Sequence, residues 1–180
     1  MAVDDQPEQG PETEEEAEAS STYLTFDLGE QTLGIEVRHV REILDMQRIT
    51  RLPNAPHEVL GVVDVRGASV PIVDLKDRLG IPPLELGEEA RIVVIEIDAA
   101  PDHRAGSGRK PIGLLADRVR NVDQIGREAI EPSPHVGVGH WDARILKGLS
   151  RRGRDLVALL DLDRVFDRGS DGLPLGSAPF

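Results

Sequence analysis

The chain has 180 residues with 33 acidic against 21 basic side chains, a formal net charge of −12; it is long enough to bury a real core and lacks the clustered Lys and Arg by which a phosphate backbone is bound. It contains no cysteine, which removes disulfides, thiolate nucleophiles and Cys-based zinc sites together. No stretch approaches the ~20 apolar residues of a membrane span and the first residues carry acids rather than a basic and then apolar leader, so a cytoplasmic protein that does not insert into a membrane is expected.

Residues 1–20 hold eight acids (Asp4, Asp5, Glu8, Glu12, Glu14, Glu15, Glu16 and Glu18) and no base. Rich in Glu, Pro and Gln, this tail cannot offset its own ordering entropy, and it is predicted to be disordered and solubilising. From Ser21 the pattern changes to short β-type runs. Leu24, Phe26 and Leu28 alternate with polar residues, Gly29-Glu30-Gln31 turns, and Leu33, Ile35 and Val37 alternate again, which predicts a hairpin. Gly61 to Leu75 (GVVDVRGASVPIVDL) predicts a second hairpin turning at Arg66-Gly67, because Gly67 can take the positive φ of a tight turn, and this would hold Arg66 out in solvent. Pro71 lacks a backbone donor, so its strand is expected at a sheet edge or to begin there. Ile92 to Ile97 (IVVIEI) is nearly continuously apolar, and Ile112 to Val122 is long enough to pair with it across a loop tip at 99–110.

The order of elements repeats. Leu33 to Ile43 lies over Ile112 to Val122 at an offset of 79, and Gly61 to Leu75 lies over Gly148 to Leu162 (GLSRRGRDLVALLDL) at an offset of 87, with a one-residue slip at the Arg-Gly pair. Each half ends in Asp-Leu and a short helical pattern, 75–79 and 162–166. Two homologous β units in tandem, roughly 23–80 and 91–167, are expected to close as small barrels filled by aliphatic side chains. The predicted core is Leu24, Phe26, Leu33, Ile35, Val63, Val65, Ile72, Ile92, Val94, Leu114, Leu146, Leu159 and Val165. Function would then fall to outer faces and to a cleft between the units.

No catalytic constellation emerges. Of the five histidines (His39, His57, His103, His135 and His140), only His135 and His140 cluster, with Asp142 in a Gly-rich loop without metal-fixing spacing. Asp161 and Asp163 read as helix caps rather than an acid–base pair, and Trp141 as a packing anchor. Gly106-Ser-Gly-Arg-Lys110 joins two strands and so reads as a loop tip, not a phosphate cradle. No cofactor and no metal are expected.

Six strings in order resemble the CheW family, the coupling proteins of bacterial chemosensory arrays, from Tyr23 to Phe166. Val40-Arg-Glu-Ile-Leu44 resembles its Val-x-Glu-Ile strand, Ile49 to Pro56 its loop, Gly61 to Gly67 its Gly-Val-x-Asn-Leu-Arg-Gly turn and Val70 to Leu75 the strand after it. Ile112 to Asp117 and Leu156 to Asp161 look like second-half counterparts. The resemblance implies an all-β CheW-like domain over 21–168 made of two tandem SH3-like five-stranded barrels with short helices, followed by a flexible tail at 169–180. It implies no enzymatic activity. It further implies an adaptor between the cytoplasmic tip of chemoreceptors and the regulatory domain of the histidine kinase CheA, with ring contacts to other copies or to other CheW-like proteins, at membrane-associated receptor arrays.

The partner-binding positions so implied are Val40, Glu42, Gly61 and Arg66, together with Asp64, which stands where the family has asparagine and can pair with Arg66; from the residues alone an intramolecular partner for Arg66, Glu42 among them, is an equal alternative to a contact with another protein. Leu44 stands where an arginine is common. Two other readings fit the residues: an adaptor of a pilus-motility or related pathway, and a small-anion or nucleotide sensor using the inter-unit cleft.

Overall fold

The computed structural model describes residues 20–76, 78–98, 108–132 and 143–166. The expected tails and the 135–142 histidine cluster lie outside them, as does most of the 99–110 tip; Ser20 and Arg109-Lys110 do not, being the ends of strands. Among the described residues eleven strands run in chain order: β1 (Ser20–Leu28), β2 (Gln31–Glu36), β3 (Val40–Asp45), β4 (Val59–Val65), β5 (Ala68–Val73), β6 (Arg91–Asp98), β7 (Arg109–Ala116), β8 (Arg118–Gly126), β9 (Ile130–Glu131), β10 (Leu146–Arg152) and β11 (Asp155–Leu160). A single-turn helix α1 (Leu162–Val165) follows, capped by Asp161, whose carboxylate accepts the Arg164 N–H.

The strands form two sheets, β8-β1-β2-β11-β10-β9 and β3-β6-β7-β5-β4. Neither follows the expected boundary between 23–80 and 91–167. Each sheet takes its central hairpin from one half of the chain and its flanking strands from the other: β1–β2 lies between β8 and β11, and β6–β7 lies between β3 and β5. The exchange is reciprocal. Gly34 of β2 pairs in parallel with Leu159 of β11, and Gly113 of β7 pairs in parallel with Ile72 of β5. A Cβ on Gly34 would fall 2.7 Å from the Leu159 side chain, and one on Gly113 would fall 2.4 Å from that of Ile72. The 112–122 run is therefore two strands rather than one: it breaks at Asp117, with β7 pairing β6 and β8 crossing to β1. Val37, expected inside a strand, opens a 3-10 turn.

Both sheets close with the same device. β4 is bulged at Gly61 and pairs with Thr50, just beyond β3, through two backbone bonds of 2.8 and 2.9 Å. β10 is bulged at Gly148 and pairs with β9, just beyond β8. A Cβ on Gly61 would lie 2.2 Å from the Thr50 carbonyl oxygen, and one on Gly148 would lie 2.6 Å from that of Glu131. Only glycine permits that approach. Pro71 sits inside its sheet, against expectation, since β5 lies between β4 and β7. It is tolerated because pairing to β7 begins only at Ile72.

All thirteen predicted core residues are buried. They divide among three layers. Val63, Val65, Ile72, Ile92 and Val94 fill one barrel with Val70 and Leu115, while Leu159 fills the other with Tyr23, Ile125 and Val157. The rest belong to a cluster of 22 buried residues between the sheets. Strand β6 serves two layers at once, Ile92 and Val94 facing its own barrel and Val93, Ile95 and Ile97 facing the interface. Where a cleft between units is expected, the described residues form the largest of the three buried clusters.

Candidate interaction surface

The closing seam of the five-stranded barrel gathers residues far apart in sequence. β3 runs along its edge with Val40, Glu42 and Leu44 half-buried and Arg41, Ile43 and Asp45 exposed. Val40 packs against the inter-sheet core. A bulge between Val40 and Glu42 turns Arg41 outward, where its guanidinium lies 3.4 Å from Glu96 and 3.8 Å from Glu42.

Across the seam, the β4–β5 turn places both Arg66 (φ 54°) and Gly67 (φ 84°) in the left-handed region, the geometry of a two-residue hairpin turn. Arg66 thus occupies a conformation that costs a non-glycine residue on the order of 1 kcal/mol, and it projects from the tip. Asp64 steadies this turn: its carboxylate accepts the Gly67 N–H at 3.1 Å. This corrects the expectation of an Asp64–Arg66 pair; the Asx-type bond to the turn backbone is shorter-range and better placed. The Arg66 guanidinium reaches instead to Glu42 at 3.0 Å, with side-chain exposures of 76% for Arg66 and 15% for Glu42. A pair so exposed on one side contributes on the order of 0.5 kcal/mol. The second Glu42 oxygen is buried and has no hydrogen-bond donor among the described residues.

Gly61 does not face outward as a contact residue would; its missing side chain is the space occupied by the Thr50 backbone. Beside it, Ile49, Leu52, Ala55, Pro56, Val59 and Leu60 line a recess of about 540 Å³ with Arg51 and His57 also lining it. Sequence reasoning missed this recess, although the 49–56 loop that walls it was legible through the family resemblance.

The family model of the CheW-like domain matches residues 22–170. The chain belongs to the CheW family. The chemotaxis protein CheW of Rhizobium meliloti is 31% identical over 144 residues, covering 79% of this chain and 85% of that one. The CheW of Bacillus subtilis is 26% identical over 155 residues, covering 86% and 92%. The crystal structure of the scaffolding protein TtCheW from Thermoanaerobacter tengcongensis superposes with a TM-score of 0.73 at 24% identity, over 96% of this chain and all of that one. The CheW-like fold of tandem SH3-like barrels is therefore the fold of this chain; Glu42 and Arg66 meet across one seam, with Gly61 setting its closure, while Val40 on the same strand packs against the inter-sheet core.

Proposed function

We propose that the chain is a non-catalytic adaptor of a chemotaxis signalling array, joining the cytoplasmic tip of chemoreceptors to the regulatory domain of the histidine kinase CheA. The observation that carries this reading, beyond family membership, is the Glu42–Arg66 seam. It offers a planar guanidinium with spare donors and an exposed aliphatic side chain, Ile43, on one barrel edge. The mechanism is geometric: holding receptor and kinase in one register lets a small receptor shift bias the kinase's conformational equilibrium.

Arg66→Glu is expected to leave thermal unfolding within a degree or two, because the Arg66 side chain is mostly solvent-exposed and its bond to Glu42 is weak, yet to reduce co-sedimentation with receptor signalling fragments and CheA at least tenfold. The swapped pair Glu42→Arg with Arg66→Glu restores an intramolecular bridge without restoring binding. Unchanged co-sedimentation of either variant at moderate salt removes Arg66 from the interface.

A further inference from the structure

The second barrel carries a seam that the proposed function leaves unused. At the offset of the first repeat, Ile43 on β3 corresponds to Val122 on β8 and the bulged Arg41 to Arg120; at the Arg-Gly slip, Arg66 corresponds to Arg152. Val122 is 60% exposed and Leu156 on β11 is 47% exposed. Two contacts frame them. Arg120 bridges from β8 to Asp155 at 3.0 Å, and Arg152 donates to the Gln124 backbone oxygen at 2.7 Å. Between Lys147 and Asp155 the chain holds four bases and one acid. Among the described residues Arg151 is matched by Glu131 at 3.2 Å and Arg152 only loosely by Asp123 at 3.9 Å, while no ion pair is formed by Arg154 or by Arg127 on the turn after β8.

The chain enters the fold beside this face. Ser20 is opposite Gly126 in the β1–β8 register, and its hydroxyl accepts from Gln124 Nε2 at 2.7 Å, the residue whose backbone oxygen holds Arg152. Because β1 and β8 are antiparallel, Arg127, which follows Gly126, lies beyond the Ser20 end of β1. Glu18, Glu16, Glu15 and Glu14 precede Ser20 by two to six residues, within ~7 to 20 Å even in extended chain.

We propose that the acidic segment 4–18 docks in cis on the arginine-rimmed β8/β10–β11 face, over Arg127, Arg152 and Arg154, and screens Val122 and Leu156 from other partners. Tethering supplies an effective concentration in the millimolar range, so weak individual charge pairs suffice, and the contact is set by ionic strength. The face is then available to an acidic partner only in competition with the chain's own first residues.

With no native cysteine, Gly10→Cys accepts a single spin label in the full-length chain. At 50 mM salt, paramagnetic broadening is expected to fall on the amides of 124–128 and 151–156, and to fade both at 0.5 M salt and in the double variant Arg127→Glu with Arg154→Glu, whose exposed side chains leave folding intact. Broadening that is insensitive to salt and to the double variant would mark proximity to Ser20 alone and overturn the proposal. So would broadening centred on the β3–β4 seam.

Discussion

Gly61 and Gly67 are six residues apart on one hairpin, and both have positive φ, but they do different work. A Cβ at Gly67 meets nothing within 4 Å, so Gly67→Ala carries only conformational strain of about 1 kcal/mol. At Gly61 the methyl would collide with the Thr50 backbone and open the barrel seam, so Gly61→Ala is expected to cost on the order of 3 kcal/mol in a urea titration, and Gly148→Ala a similar amount. A Gly61→Ala protein as stable as the Gly67→Ala protein would show that the seam has slack. Glu36 is a second residue whose surroundings decide its behaviour. Burial pushes its carboxyl upward, but bonds from Lys147 and Arg38 outweigh that, and the net direction is below its ordinary value of 4.5; the neighbouring Tyr23 hydroxyl is pushed up by its own burial and by the Glu36 charge. A carboxyl lowered by folding stabilises the fold above its unfolded value and loses that contribution as pH falls through the folded one. Urea midpoints are therefore expected to decline below about pH 4.5, and Glu36→Gln, about 1–2 kcal/mol less stable at pH 7, should show a shallower decline. Parallel pH profiles for the two proteins would assign the acid sensitivity elsewhere.

At the scale of elements, the crossings between sheets need a fixed register, and one buried ion pair supplies part of it. Lys76, just past β5, is 3% exposed and donates to Asp117 at 2.5 Å; Asp117 joins β7 to β8 and its other oxygen accepts the Gly29 N–H of the β1–β2 turn at 2.7 Å. Three segments from two sheets thus meet on one carboxylate. Lys76→Met would leave that charge half-buried and unpaired, at a cost of about 3 kcal/mol, and adding Asp117→Asn should recover part of the loss because no net charge is then stranded. Strictly additive losses in that double-mutant cycle would show the pair to be uncoupled. Strand faces were legible in the sequence, since period-2 alternation reports which side chains turn inward, and both hairpin turns could be read from their glycines. What alternation cannot report is the neighbour. β3 would show the same pattern whether it paired with a strand of its own half or with β6, and the break at Asp117 is only the first of four polar residues (Asp117, Arg118, Arg120 and Asn121) in the 112–122 run. The continuous IVVIEI run did carry a clue, because a strand apolar on both faces must be covered on both. At the seam, Glu42 and Arg66 could be named from the chain, but the bond of Asp64 to Gly67 and the recess under 49–60 depend on a turn geometry that composition does not specify.

For the whole molecule, reciprocal exchange means that neither half of the chain contains a complete sheet. Residues 20–88 keep only the β1–β2 and β4–β5 hairpins, with β3 unpaired, and isolated two-stranded hairpins are marginal in water. The 22-residue cluster between the sheets draws nine members from before this cut and thirteen from after it, so each fragment would expose most of a core that only the other can cover. Severing the chain in the exposed 87–89 turn is therefore expected to give two fragments, 20–88 and 89–180, with collapsed amide spectra when separate. Mixed at equal concentration they should assemble, at a rate that rises with concentration, into a species with the dispersed amide spectrum of the intact chain. Because the pairings that matter join distant segments, assembly should be slow compared with hairpin formation. If instead either fragment alone gave a dispersed spectrum and a cooperative unfolding transition, that half would close a barrel from its own strands, and the exchange would be a choice of the linked chain rather than a condition of its stability.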